Sequence, residues 1–169
     1  LMPFLWSVVA KQGQIFGNRN AGSDAYVTNH FFFSYPGYSE TLCGFADPRV
    51  SSNDKIPNPN VTVLEWLHGK PAYQGQIAAF GAWDVFPFIF NAERADFPVN
   101  AGYDPFAAIP ITPRLDLLNR VKAETPRTWE DEPFDFLPFH TALEYLRARQ
   151  PKILYLSLGE TDEWAHAGN

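Results

Sequence analysis

The sequence has little cysteine and no long apolar stretch. Cys43 is the single cysteine among 169 residues, so an intrachain disulfide is excluded and cysteine pairing carries no information about the redox compartment. The longest apolar runs, at residues 31–33 and 153–158, are far shorter than the roughly 20 residues that a helix needs to cross a bilayer. We therefore expect no membrane-spanning segment in this chain.

Basic residues are also scarce. The chain has 13 Lys and Arg against 19 Asp and Glu, which gives a net charge of −6 and a pI near 5.1. Proteins that bind nucleic-acid polymers need a basic surface to displace counterions from phosphates, so such a polymer is excluded as a partner. A small phosphate ester is compatible with this charge, because a bound metal ion can supply positive charge locally.

The chain does have enough apolar residues for one core. Hydrophobic residues make up 46% of the sequence, and a chain of this length folds as one unit. We predict a single domain over residues 1–169. The sequence carries no indication of an oligomeric state.

Apolar periodicity and turn residues divide the chain into helices and strands. Helices are predicted at residues 2–10, 38–43, 61–67, 115–123 and 134–149, and strands at 76–83 and 152–158. Residues 14–18 and 25–33 are predicted as strands or extended segments. Gly44 is expected to end the second helix, and Asn60 and Gly69 to cap and end the third. Helices that alternate with apolar strands are typical of an α/β fold with a parallel sheet.

Residues 84–113 combine prolines with many aromatic residues, which predicts a long irregular excursion. The prolines are Pro87, Pro98, Pro105, Pro110 and Pro113. The aromatic side chains from Trp83 to Phe106 allow two interpretations. They form a stacking face for a flat ligand group, or they form a core under a long loop.

Two stretches follow predicted strands and carry chemically useful side chains. Ser34 comes directly after three phenylalanines, and Asp162 and His166 lie four residues apart after the strand at 152–158, with Glu160 nearby. In open α/β sheets, ligands bind at the carboxyl ends of the strands. An acid and an imidazole at this spacing suit zinc or a similar divalent metal, although they are also common on a solvated surface.

Ser34 has two compatible interpretations. It precedes a predicted helix, so its hydroxyl can act as an N-cap, as a nucleophile, or as both. A phosphoryl group at a helix N-terminus meets free backbone N–H groups and the positive end of the helix dipole. Metal coordination lowers the pKa of a hydroxyl and makes it a nucleophilic alkoxide.

These residues together resemble the alkaline phosphatase superfamily, in its type I phosphodiesterase and nucleotide pyrophosphatase branch. Ser34-Tyr35-Pro36-Gly37, with Gly44 ten residues after the serine, is similar to the nucleophile segment of that branch. The stretch from Asp162 to His166 resembles its Asp-x-x-Gly-His metal motif. The segment at residues 2–18 is similar to the helix and strand before its nucleophile. The resemblance covers most of residues 1–85 and 150–169.

The resemblance implies a fold, an activity and a set of site residues. The implied fold is an α/β/α sandwich with a mostly parallel central sheet. The implied activity is metal-dependent hydrolysis of a phosphoric ester or nucleotide, with Ser34 as nucleophile and with two divalent ions, usually zinc. Asp162 and His166 would bind one ion, Ser34 would contact the other, and Asn53 would stabilise the oxyanion. Such a protein is expected in the periplasm or outside the cell.

Some expected features of the family have no counterpart in these residues. An Asp-Gly motif does not precede residue 1, and an Asp-His pair and a final histidine do not follow residue 166. Gly37 and Ala165 replace the usual asparagine and glycine. We therefore expect these 169 residues to be an incomplete domain that is inactive alone.

Two alternative functions remain at this point. The chain is either a phosphoric ester hydrolase or a binding module of the same fold without catalysis. Phosphomonoesterase and sulfatase activities also occur in the superfamily, but Tyr38 stands where sulfatases have an arginine.

The remaining candidate residues are expected to be structural. His30, His68 and His140 lack ligand spacing, and Cys43 is expected to be packed. Ser39 lacks the second glycine of a nucleophile elbow.

Overall fold

A three-stranded parallel sheet forms the centre of the computed structural model, which describes residues 2–168. The strands are β1 (Ile77–Gly81), β2 (Val99–Ala101) and β3 (Ile153–Ser157), in the order β2-β1-β3. In the register, Ala79 pairs with Val99 on one side and with Tyr155 on the other. The expected mixed α/β class with a parallel sheet is therefore confirmed.

Helices pack on both faces of this sheet. The helices among residues 2–168 are α1 (Ala10–Gln12), α2 (Ser34–Cys43), α3 (Val63–His68), α4 (Phe86–Ile89), α5 (Ala92–Ala95), α6 (Pro113–Glu124), α7 (Phe136–Arg149) and α8 (Glu160–His166). A π-helical segment, Leu5–Val9, precedes α1, and a 3-10 turn forms at Arg19–Ala21.

Strand β1 is fully buried and divides the core into two clusters. Ile77 and Ala79 belong to the cluster that includes residues of α2, α3 and α4, whereas Ala78 and Phe80 belong to the cluster that includes residues of α6 and α7. Successive side chains of a strand point to opposite faces, so this alternation follows directly from the strand geometry. A strand covered on both faces explains why every residue of β1 is apolar or glycine.

The helix ends have identifiable causes. α2 ends at Gly44, which has a positive φ of 83° that favours glycine. α3 begins after Thr62, whose hydroxyl accepts a hydrogen bond from the Glu65 N–H at 3.2 Å. The predicted cap at Asn60 is therefore wrong. Asn60 instead donates to Asp47 and accepts from Arg49 in a neighbouring loop.

Residues 14–18 and 25–33 form no strand among residues 2–168, so the prediction of strands there is wrong and the alternative, extended segments, remains. The second segment is held by side-chain contacts. The Glu40 carboxylate accepts hydrogen bonds from the backbone and side chains of Thr28 and Asn29 at 2.6–3.0 Å. A run of aromatic residues favours a strand only where another strand is available for pairing.

The expected irregular excursion at residues 84–113 is wrong for its first half, which contains α4, α5 and β2. Pro87 occupies the first turn of α4, where proline lacks only an N–H that the helix would leave free. Phe86, Phe90, Phe97 and Phe106 are all buried. The core interpretation is therefore confirmed for these four residues, whereas Trp83, Phe88 and Tyr103 are only half-buried. Residues 102–112 contain neither a helix nor a strand.

The predicted strand at 152–158 is present as β3, but it is half-buried along its length. β3 pairs only with β1 among the described residues, so it is an edge strand rather than the doubly covered strand that its apolar sequence predicts. The helices predicted at 115–123 and 134–149 are confirmed as α6 and α7, with slightly different ends.

Within residues 2–168, each helix is too short or too polar to cross a bilayer.

Candidate functional site

One cavity of about 420 Å³ lies at the carboxyl end of the sheet, beyond β3. Its wall includes all four residues that the sequence singled out for chemistry: Ser34, Asn53, Asp162 and His166. These residues come from the start of α2, from a loop, and from α8. Residues separated by more than 100 positions in the sequence therefore share one pocket.

Ser34 is the first residue of α2 and is exposed. The N-cap position belongs to Phe33, which has no side-chain hydrogen-bonding group, so the interpretation of Ser34 as an N-cap is wrong. The Ser34 hydroxyl makes no hydrogen bond within residues 2–168 and faces a cavity. Its surroundings therefore leave it available to a ligand.

The N-terminus of α2 offers fewer free N–H groups than the sequence suggests. The Tyr35 N–H donates to the Asn53 Oδ1 at 3.0 Å, Pro36 has no N–H, and the Gly37 N–H donates to the Phe33 carbonyl at 3.3 Å. The dipole of a ten-residue helix remains directed at the cavity. The backbone alone is therefore a weak anion site here.

Asn53 connects its loop to α2 and also lines the cavity. Because its oxygen accepts from the Tyr35 N–H, the amide orientation is set and the Nδ2 donor is left without an acceptor within residues 2–168. Asn53 is thus able to donate a hydrogen bond to a ligand beside Ser34, which is what an oxyanion-stabilising residue requires.

Asp162 and His166 lie one turn apart on α8, with 3.7 Å between the Asp162 Oδ2 and the His166 Nε2. Their side chains are 68% and 78% exposed, so neither is held rigidly by packing. The sequence leaves open whether this pair lies at a site or on a solvated surface. The structure places it at the rim of the cavity that Ser34 also lines.

The start of α8 is fixed to the start of α7 by a reciprocal pair of acidic side chains. The Asp135 Oδ1 accepts from the Gly159 N–H at 2.7 Å and from the Glu160 N–H at 3.3 Å. In return, the Glu160 Oε2 accepts from the Asp135 N–H at 2.7 Å. Glu160, which the sequence places near the possible metal ligands, therefore orients α8 and does not line the cavity.

Several cavity residues were not identified from the sequence. The hydroxyls of Tyr38 and Ser157 lie 3.3 Å apart, and the Trp83 Nε1 donates to the Asp131 Oδ2 at 2.9 Å. Glu132, next to Asp131, is only 7% exposed, and its Oε2 has no hydrogen-bond partner among the described residues. No residue pattern marks this loop, because its side chains reach the cavity only through the packing of the chain.

The cavity is strongly acidic. Burial first, and then the nearby carboxylates of Glu163, Asp131, Asp135 and Asp162, raise the pKa of Glu132 to about 8. Lysine and arginine are absent from the cavity wall within residues 2–168. A phosphate group would therefore enter this cavity only together with cations.

The donors present suit a divalent metal in kind but only partly in arrangement. Asp162 supplies oxygen, His166 supplies nitrogen, and Ser34 supplies a hydroxyl on the same cavity. However, the described part of the chain holds no group of three or more His, Cys, Asp or Glu side chains placed to bind a metal ion. Within residues 2–168, Asp162, His166 and Ser34 are therefore only a partial set of ligands for such an ion.

Several remaining side chains have structural contacts. Ser39 is buried, and its hydroxyl accepts from the Asn58 Nδ2 at 3.1 Å. The His68 ring packs near Phe97, with centroids 5.8 Å apart. None of the three histidines expected to be structural lines the cavity within the described residues.

Comparisons with protein-family models, with curated proteins and with solved structures found no match for this chain. The geometry of the cavity and the chemistry of its residues are therefore what indicates a function.

Proposed function

We propose that the cavity is part of the active site of a metal-dependent phosphoric ester hydrolase of the phosphodiesterase and nucleotide pyrophosphatase type. The observation that carries this proposal is the common cavity of Ser34, Asn53, Asp162 and His166. The complete fold would be the α/β/α sandwich of the alkaline phosphatase superfamily. The substrate would be a small phosphate ester or a nucleotide, and the protein would act in the periplasm or outside the cell.

Ser34 is the proposed nucleophile. Its exposed hydroxyl has no hydrogen bond within residues 2–168, and it lies at the positive end of α2. The Ser34 Oγ forms a bond to phosphorus as the bond to the leaving oxygen breaks, and the hydroxyl proton ends on the leaving group. Water then cleaves the phosphoserine and restores the hydroxyl.

Asn53 is the proposed oxyanion donor. The hydrogen bond from the Tyr35 N–H fixes its amide, so the Nδ2 can meet a charged phosphoryl oxygen without reorganisation. The same bond joins the Asn53 loop to the helix that carries the nucleophile. A change at Asn53 would therefore alter the position of Ser34 as well as the stabilisation of charge.

Asp162, His166 and Ser34 are the proposed metal ligands, for two divalent ions such as zinc. When bound, these ions would offset the charge of the phosphoryl group and lower the pKa of the serine hydroxyl. The acidic cavity without lysine or arginine in its described wall supports this requirement for cations. Asp162 and His166 would hold one ion from adjacent turns of α8, and the Asp135–Glu160 pair would orient that helix.

A binding module of the same fold is the second candidate. The observation in its favour is that residues 2–168 contain no set of three metal-binding side chains. In this case Ser34 and the Asp162–His166 pair would line a pocket without performing chemistry.

Replacing Ser34 by alanine in the natural protein distinguishes the two candidates. For the hydrolase we expect turnover of bis(4-nitrophenyl) phosphate with zinc to fall at least about a thousandfold, while the zinc bound through Asp162 and His166 is retained. Ser51→Ala is the matched control, because Ser51 is exposed and lies outside the cavity wall. Wild-type turnover that Ser34→Ala leaves unchanged would refute the proposed nucleophile, and a wild-type protein without turnover would favour the binding module.

A further inference from the structure

Glu132 is a buried acid without a partner. It is 7% exposed, it lines the cavity, and its Oε2 makes no hydrogen bond within residues 2–168. Its backbone is well fixed, because the Tyr103 hydroxyl donates to the Glu132 carbonyl at 2.8 Å and to the Trp129 carbonyl at 3.0 Å. The carboxylate is therefore held at the cavity by packing of the main chain.

The carboxylate of Glu132 occupies a space that only glycine leaves open. It lies against Gly159, where an added Cβ would overlap the Oε2 and approach the Glu132 Cδ to 2.7 Å. Gly159 has a φ of −126°, so the backbone conformation itself does not require glycine. The Gly159 N–H is already donated to Asp135, so it does not satisfy Glu132.

The charges around Glu132 are all of one sign. Glu163 has the largest effect among the neighbouring acids, and Glu163 lines the same cavity. Burying an acid among other acids is unfavourable unless a proton or a cation compensates it. The cavity of about 420 Å³ that both side chains line has room for a hydrated ion.

We propose that Glu132 and Glu163 bind a hydrated divalent cation of the Mg²⁺ or Mn²⁺ class in this cavity. Mg²⁺ is commonly held by one or two carboxylates with several retained waters, so two acids are a sufficient protein contribution. The all-oxygen donor set favours such a hard cation over zinc. This site is additional to the Asp162–His166 pair, and it does not depend on the proposed hydrolysis.

The proposal is tested by titrating the chelator-treated protein with Mn²⁺. The EPR signal of free Mn²⁺ measures how much of the ion is bound. We expect Glu132→Gln to weaken Mn²⁺ binding at least about tenfold and Mg²⁺ to compete with Mn²⁺ in the wild type. Glu130→Gln is the matched control, because Glu130 is exposed two residues away and does not line this cavity. Circular dichroism checks that each variant is folded.

Two further variants keep the test decisive. Gly159→Ala should displace the Glu132 carboxylate and weaken Mn²⁺ binding although every acid is retained. Ser51→Ala, outside the cavity wall, should keep Mn²⁺ binding, and Mn²⁺ affinity is measured without any phosphate ester, so a failure of the proposed hydrolysis is separable from a failure of this site. Unchanged Mn²⁺ affinity in Glu132→Gln, or no wild-type binding at millimolar Mn²⁺, overturns the proposal.

Discussion

Glu132→Gln should remove a pH-dependent loss of stability from the metal-free protein. Burial first, and the surrounding acids second, raise the pKa of Glu132 from 4.5 to about 8 in the folded protein. Between these two values the folded protein keeps a proton that the unfolded chain releases. The free energy of unfolding therefore falls as the pH rises from about 4.5 to about 8 and is constant above that range.

The size of this effect follows from the pKa difference. Each pKa unit corresponds to about 1.4 kcal/mol. The difference between 4.5 and about 8 thus gives an upper limit of about 5 kcal/mol at alkaline pH. Water that enters the cavity reduces this value, so we expect a loss of roughly 2–5 kcal/mol in the wild type. Glutamine has nearly the same shape and cannot ionise, so the variant should lack this loss.

Urea denaturation in EDTA at several pH values from acidic to mildly alkaline measures this difference. The two proteins should have similar stability near the acidic end, and Glu132→Gln should be the more stable one near the alkaline end. Lys122, whose burial lowers its pKa to about 8, titrates above this range and adds stability there as the pH rises. Parallel stability curves for the wild type and Glu132→Gln would show that Glu132 is not buried as a protonated acid.

Two other contacts give predictions that do not involve the cavity. Asn58→Ala should lower the free energy of unfolding by about 2–4 kcal/mol in urea denaturation. The reason is that the buried amide donates to Ser39 and to the Ile89 carbonyl, both at 3.1 Å. A loss below about 1 kcal/mol would contradict this reasoning. Glu40→Gln should speed amide hydrogen exchange at residues 28–29, because four hydrogen bonds to the carboxylate hold them. These hydrogen bonds lower the pKa of Glu40 to about 2, against the effect of its burial, so in the wild type this attachment should persist above pH 4.5 and be lost as the pH falls towards 2. Equal exchange in both proteins would refute the attachment.

The position of α8 shows how the fold brings together functional side chains that are far apart in the sequence. Asp135 and Glu160 hold the starts of α7 and α8 together, and this contact brings Asp162, Glu163 and His166 to the cavity. The loop before α7 brings Glu132 to the same place. A loop and a helix whose contacting residues, Asp135 and Glu160, are 25 positions apart in the sequence thus form one acidic wall.

Much of the secondary structure could be predicted from the sequence alone. The apolar run of β3, the helix periods of α6 and α7, and the glycine after α2 act through neighbouring residues, so they are readable without knowledge of the fold. Residues 14–18 and 25–33 form no strand, because strand formation depends on distant residues rather than on neighbouring ones. A strand needs a partner, and no local pattern states whether a partner is present.

The candidate site was predictable only in part. Asp162 and His166 come after β3, and the general rule for parallel sheets places such residues at the carboxyl edge. Ser34 reaches the cavity from the start of α2, although the strand expected before it does not form. Glu132 follows no such rule. Its burial, its contact with Gly159 and its lack of a partner arise from the packing of a loop against α8.

The sequence by itself determined the helix periods, the acidic charge and the identity of the nucleophile candidate. The tertiary structure alone decided that four distant residues share one cavity and that a buried acid lies beside them. The physical reason is the sequence distance over which each kind of interaction acts. Helix periodicity and capping depend on residues within a few positions, whereas burial and charge depend on whatever the folded chain brings within a few ångströms.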